Sequence, residues 1–317
     1  MPTISLCMIV KNEEAVLKRC LDSICDLMDE IIIVDTGSTD KTREIAESYT
    51  DKVFSFTWNQ NFSDARNYSI EKASCDYIYT ADADEVLDKE NHDKFLLLKK
   101  ALVSEVEIVQ MLYCGQYDHN TVYNYDEEYR PKLFKRCRSF RFIHPVHEIL
   151  QLDPVVYDSD IRIFHKPHDK HTGRDLAIFA SFYGGENAPA ISSLQLSMYA
   201  KEIFISGSKQ DLLSAIPVFE KAFEQENRSK EDLILITAVL AKAYRSKGDF
   251  TGFFKYAMKC TLLDGCSEVC VELGQYYASI KDTKEAQMWY YNAINECVPS
   301  MNVRYGKEIP EELMKQL

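Results

Sequence analysis

The chain has 317 residues, 46% hydrophobic and 27% charged, a composition that excludes a disordered polypeptide. Its 37 Lys and Arg face 50 Asp and Glu, and a net charge of -13 excludes the basic surface that nucleic-acid binding requires. No run of about 18 apolar residues occurs, so neither a membrane span nor insertion into a bilayer is expected. The opening stretch MPTISLCMIVKNEEAVL is interrupted by Lys11, Glu13 and Glu14, too early for an export signal. Ten scattered cysteines without a CxxC then read as reduced thiols in a cytoplasmic protein.

In chain order, ISLCMIV (4–10) reads as a buried strand. Asn12 follows as a cap for a helix that carries Val16, Leu17, Cys20, Leu21 and Ile24 on one face. EIIIV (30–34) is a second buried strand, ending in Asp35-Thr36-Gly37-Ser38-Thr39-Asp40. Thr39 or Asp40 is placed to cap a helix with Ile45, Ala46 and Tyr49. KVFSF (52–56) is a third strand, residues 64–73 a helix, and DYIYTAD (76–82) a fourth strand. Strands alternating with helices predict a parallel sheet covered on both faces, whose ligands sit at the carboxyl ends of the strands. The polar clusters Lys11-Asn12-Glu13, Asp35 to Asp40 and Asp82 to Asp84 all fall at such ends. Beyond Tyr113, Tyr-rich and basic segments over 123–141 predict an antiparallel extension of the sheet.

From about Ser192 the strand pattern stops. LAKAYRSKGDFTGFFKYAMKC (240–260) aligns with LGQYYASIKDTKEAQMWYYNA (273–293) at an offset of 33 residues, with a weaker copy over 199–223. A period near 34 built from two helices is the tetratricopeptide pattern. The expected division is therefore 1–190 for the α/β domain and 191–317 for an all-α, tetratricopeptide-like domain.

Two carboxylates leaving a strand two residues apart, Asp82 and Asp84, can converge on a hard divalent cation, which fills its other positions with water and phosphate oxygens. Asp35 at the end of the second strand can accept from a base imide or a ribose hydroxyl. Arg66, in NFSDARN, sits near a helix start where the dipole disfavours a cation, which implies an anionic or carbonyl partner. His165, His168 and His171 surround Pro167 and have no cysteine nearby, which argues against zinc. Lys132, Lys135 and Arg136 either face a diphosphate or solubilise a hairpin.

The ordered set KNEE, IIIVDTGSTDKT, NFSDARN and DYIYTADADE, over residues 3–88, resembles glycosyltransferase family 2, with its nucleotide-binding GT-A fold. RPKLFKR, HPVHE and IFHKPHDKHTGRD, followed by helical repeats, look like a bacterial subgroup that glycosylates peptides, flagellins or cell-envelope glycans. The resemblance assigns Asp35 and Arg66 to the nucleotide, Asp82 to the ribose and Asp84 to the metal, with His165 completing the metal's shell or touching the diphosphate. Val10, Asn12 and Glu13 at the first strand end join the nucleotide-binding set. Thr36 stands where the family usually has a second acid. Glu148 and His147 stand where related enzymes place the acceptor-side base.

The resulting expectation is an inverting glycosyltransferase dependent on Mn²⁺ or Mg²⁺. It would move a hexose or N-acetylhexosamine from a UDP-sugar to Ser, Thr or Cys of a protein or peptide docked at the helical tail. The alternatives are a transferase acting on a cell-envelope glycan or lipid-linked sugar, and a non-catalytic repeat scaffold. A nucleotidyltransferase would want a Gly-rich basic loop where this chain has Lys11-Asn12-Glu13-Glu14. Which sugar, which acceptor, which of Glu148 and His147 is the base, and whether the chain forms a homodimer stay open at this level.

Overall fold

The computed structural model describes residues 1–114, 127–137, 140–147, 149–150, 154–167, 174–185 and 187–317. The chain divides into two compact units, Met1–Lys170 and His171–Leu317.

The first unit opens with β1 (Ile4–Val10), α1 (Leu17–Ile24), β2 (Glu30–Asp35), α2 (Thr42–Glu47), β3 (Val53–Ser55), α3 (Phe62–Glu71) and β4 (Tyr77–Thr80). There follow β5 (Glu85–Val86), α4 (Lys89–Ala101), β6 (Ile108–Cys114), β7 (Glu128–Lys135), β8 (Phe142–Ile143), β9 (Ile149–Leu150) and β10 (Val156–His165). The main sheet runs in the order β3-β2-β1-β4-β7-β6-β10-β5, and β8 and β9 form a separate ribbon. β3, β2, β1 and β4 are parallel, as the β/α alternation predicts. β7 then enters antiparallel between β4 and β6, and β10 runs parallel to β6. Among the described residues of the expected antiparallel extension, β7 is threaded through the middle of a mixed sheet, and β5 lies antiparallel at its edge.

Strand alternation sorts the core into two layers. Ile4, Leu6, Met8 and Val10 of β1 face Leu17, Cys20, Leu21 and Ile24 of α1 and Phe95 of α4. Cys7 of β1, Ile32, Ile78 and Phe134 face Ile70 of α3, with Phe142 packed alongside. β5 follows β4 directly in sequence yet pairs with β10, at the far end of the strand order. Five residue steps from Thr80 to Glu85 reach at most about 17 Å, whereas four strand spacings in a flat sheet need about 19 Å. The sheet therefore curls, and Asp82-Ala83-Asp84 runs along its rim over the ends of β7 and β6.

The second unit is helical throughout its described residues apart from connections. It contains α5 (Arg174–Tyr183), α6 (Ser193–Ser206), α7 (Lys209–Phe223), α8 (Lys230–Lys247), α9 (Phe250–Leu262), α10 (Ser267–Ser279), α11 (Thr283–Asn295) and α12 (Glu308–Met314). α8 pairs with α9 and α10 with α11, while α7 lies along α8 and α5. The 33-residue offset is visible in the turns. Gly248 and Lys281 are both left-handed, at φ 83° and 65°. The next residues, Asp249 and Asp282, cap α9 and α11 by accepting from Gly252 N (3.0 Å) and Glu285 N (3.2 Å). Gly274 of α10 has no Cβ because one would stand 2.4 Å from the Tyr290 ring of α11. Among the described residues no helix is long and apolar enough to cross a membrane.

Candidate active site at the carboxyl rim of the sheet

Two strand ends, those of β1 and β2, build one side of the rim. β1 and β2 pair in register so that Val10 stands opposite Asp35, and the Val10 carbonyl accepts from Thr36 N (3.0 Å) and Thr36 Oγ1 (3.2 Å). Asp35 is buried, and its Oδ1 accepts from Gly37 N, Ser38 N and Ser38 Oγ at 3.2, 2.9 and 2.7 Å. Gly37 takes φ 105°, a conformation that L side chains rarely adopt, so the DTGS turn needs glycine there.

Asn12 does not cap α1, whose N-cap is Val16 with no side-chain bond. With φ 56° it turns toward the second loop instead, where its Oδ1 accepts from Thr39 N at 2.8 Å and its N–H donates to Ser38 Oγ at 3.0 Å. Glu13 N donates to Thr42 Oγ1 (2.6 Å), Glu14 N to Asp40 Oδ2 (3.1 Å), and Lys41 N to Glu14 Oε2 (3.0 Å). The caps expected of Asn12 and Thr39 are therefore spent joining the two loops. Asp40 bonds Thr42 N at 3.0 Å beside α2, whose N-cap is Lys41.

The acidic side begins with α3. Asn61 caps it through Asp64 N (3.3 Å), and Arg66, one turn in, donates from Nη2 to Asp82 Oδ1 at 2.8 Å. The guanidinium also lies 5.5 Å from the Phe142 ring centroid. Burial works against ionised Asp82, but Arg66 and Lys132, with Arg130, outweigh it and hold the carboxyl well below its usual range. The anionic partner expected for Arg66 is thus Asp82 itself.

Asp84 stands two residues on, where the rim meets the end of β10. Its Oδ2 lies 3.0 Å from His165 Nε2, and its carbonyl accepts from Lys166 N at 2.9 Å. Glu85 pairs with His165 in the β5–β10 register, which brings that histidine to this aspartate. A carboxylate oxygen and an imidazole nitrogen this close, both largely shielded, are donors that can face one divalent cation.

Beneath them Lys132 Nζ donates to both oxygens of Glu85 at 2.8 Å, with both side chains buried. Burial raises the Glu85 carboxyl more than Lys132 lowers it, with Asp82 and then Asp84 adding to the rise. Pro131 explains the aim of Lys132. The ladder steps from Val109↔Leu133 to Gln110↔Pro131, leaving Lys132 as the extra residue of a bulge in β7. Proline cannot donate to a ladder, and within a central strand it marks such an interruption. That signal was available in the sequence. Lys135 and Arg136 leave the opposite end of β7, where Lys135 Nζ donates to Ser104 O (2.5 Å) and Arg136 Nε to Cys75 O (2.6 Å). They do not face the rim. Arg130, not singled out from sequence, does: its guanidinium lies 3.7 Å from the Tyr113 ring centroid, and that ring is 5.5 Å from the His165 ring.

The HPVH segment is tied to the start of α3. Phe62 N donates to Pro145 O at 3.0 Å and Ser63 Oγ donates to His144 O. His144 and His147 both take left-handed backbone, at φ 77° and 47°, and His147 is half-buried. Glu148 lies outside the described residues, as do His168 and His171.

Comparison with known proteins agrees with this reading of the first unit. Residues 5–152 match the family model "Glycosyl transferase family 2". A TPR repeat-containing protein of Synechococcus elongatus is 34% identical over 152 residues, covering 47% of this chain and 36% of that one. The SPbeta prophage-derived glycosyltransferase SunS of Bacillus subtilis is 33% identical over 162 residues, covering 50% and 36%. An uncharacterized glycosyltransferase of Haemophilus influenzae is 27% identical over 269 residues, covering 81% and 98%. The chain spans little more than a third of the length of the first two relatives. The first unit is thus similar to glycosyltransferase family 2 over residues 5–152, the stretch that holds the four parallel strands and Asp35, Arg66, Asp82 and Asp84.

Proposed function

We propose that the chain is an inverting glycosyltransferase that moves a hexose or N-acetylhexosamine from a UDP-sugar to Ser, Thr or Cys of a protein or peptide. The observation that carries this reading is the rim itself. Asp35, the Arg66–Asp82 pair and the Asp84–His165 pair lie along one edge, where β1, β2, β4 and β10 end.

Asp35, with Val10, Asn12 and Glu13 around it, would receive the base. Asp82, held ionised by Arg66, would accept from the ribose. Asp84 and His165 would hold Mn²⁺ or Mg²⁺ beside the diphosphate. Bound there, the cation would neutralise charge growing on the departing diphosphate. Glu148 or His147 would take the acceptor proton as its oxygen or sulfur attacks the anomeric carbon. A protein acceptor is favoured because stacked helical hairpins offer extended surfaces to polypeptides, and because one relative is a TPR repeat-containing protein. Docking of that acceptor on the helical unit belongs to the same proposal, as does a domain boundary near residue 190.

Calorimetric titration with UDP, with and without Mn²⁺, tests the donor side. Binding that strengthens at least tenfold with the metal, and loses that gain in Asp84→Ala, supports the reading. No binding at millimolar UDP in either condition overturns it in favour of a non-catalytic scaffold.

A further inference from the structure

The helical unit carries two close pairs of thiols that the proposed transfer does not invoke. Cys260 and Cys266 stand with their sulfurs 3.9 Å apart, and Cys270 and Cys297 with theirs 3.6 Å apart. The two pairs differ in access. Cys260 and Cys266 are both fully buried, whereas Cys297, just beyond α11, is half-buried beside the buried Cys270 of α10. Of the two pairs, only the second includes a residue that is partly open to solvent. The hydrogen bond shared by the two sulfurs favours a thiolate at Cys297, against the effect of its burial.

We propose that Cys270 and Cys297 form a reversible oxidation site, closed to a disulfide by hydrogen peroxide. The Cys297 thiolate attacks one peroxide oxygen and the O–O bond breaks, giving a sulfenic acid and hydroxide. The Cys270 sulfur then attacks the Cys297 sulfur. The S–S bond forms, and the sulfenic oxygen leaves as water with the Cys270 proton. The two thiols supply two electrons, and hydrogen peroxide is reduced to two waters.

Closure requires the sulfurs to approach by about 1.5 Å. Cys297 can supply that movement because it lies past the last residue of α11, its N–H bonded to Asn292 O. The bond would staple α10 to the chain that follows α11. The fully buried Glu268, two residues before Cys270, already grips that chain by accepting from Ser300, Met301 and Asn302 N–H. Oxidation would thereby lock the C-terminal closure of the helical unit.

The test treats the full-length chain with hydrogen peroxide, alkylates the remaining thiols and maps peptides by mass spectrometry. The expected product is one linked pair carrying Cys270 and Cys297, lighter by two hydrogens and restored by dithiothreitol. The oxidised chain should also melt about 5 °C higher in its helical unit, a shift absent from Cys297→Ser. The proposal is overturned by unchanged alkylation of both thiols after peroxide. It is equally overturned by a dominant Cys260–Cys266 link, or by sulfinic acid at Cys297 with Cys270 still a free thiol.

Discussion

Lys132→Met removes the cation from a carboxylate that has nowhere else to turn. Glu85 accepts from Lys132 Nζ at 2.8 Å through both oxygens, and neither residue is more than a tenth exposed. Keeping Glu85 ionised and unpaired at that depth would cost about 3–5 kcal/mol. The chain can limit the loss by taking up a proton. Neutralising a carboxyl whose ordinary value is 4.5 costs about 3.4 kcal/mol at pH 7. The variant should therefore be about 3 kcal/mol less stable at pH 7. The folded variant then binds a proton that the unfolded chain releases, so its stability falls as pH rises above 4.5. Between pH 7 and pH 5.5 the gap to the parent should narrow by about 2 kcal/mol. Urea unfolding followed by Trp58 fluorescence in a Trp289→Phe background reports this unit alone, since Trp289 belongs to the helical one. A gap of equal size at both pH values would refute the reasoning. So would a Lys132→Met/Glu85→Gln double variant no more stable than Lys132→Met, because the neutral pair should recover most of the loss.

Three further outcomes follow from the geometry. Arg66→Met should weaken UDP binding at least tenfold in calorimetry and cost about 1–2 kcal/mol at pH 7 through the lost charge-assisted bond to Asp82. Asp82 is held below its ordinary 3.8, so the parent's advantage should persist above that pH and vanish as the solution is acidified below it. Glu268→Gln weakens a carboxylate that accepts three backbone bonds. It should accelerate amide exchange at Ser300, Met301 and Asn302 by at least tenfold, read by exchange mass spectrometry. Gly274→Ala should lower the melting temperature of the helical unit by several degrees, because the new methyl meets the Tyr290 ring.

Periodicity in the sequence was enough for the first four strands, because each is a short apolar run bounded by turn residues. The 33-residue offset likewise set Asp249 in register with Asp282, and the structure shows both capping their helices. The rim positions of the aspartates were legible for the same reason, as Asp35 ends β2 and Asp82 and Asp84 lie within four residues of the end of β4. Non-local consequences were not. Asn12 reads as a cap in one dimension, and only the parallel pairing of β1 with β2 brings Thr39 within its reach. Lys132, Lys135 and Arg136 look alike in a basic run, yet the direction of β7 sends the first to Glu85 and the others to the opposite edge. The meeting of Asp84 with His165 depends on β5 pairing with β10 across a curled sheet, which no local pattern encodes.

The braces between the first two loops bear on how a nucleotide would arrive. Asn12, Glu13, Glu14, Ser38, Thr39, Asp40 and Thr42 hydrogen-bond one another across these loops. If UDP binds there as proposed, little of the surface meeting its base is left to organise during association, so the entropy lost on capture should be mainly that of the nucleotide. Stopped-flow mixing would then show a single bimolecular phase whose rate scales with UDP concentration and does not plateau, the mark of a receptor set before its guest appears.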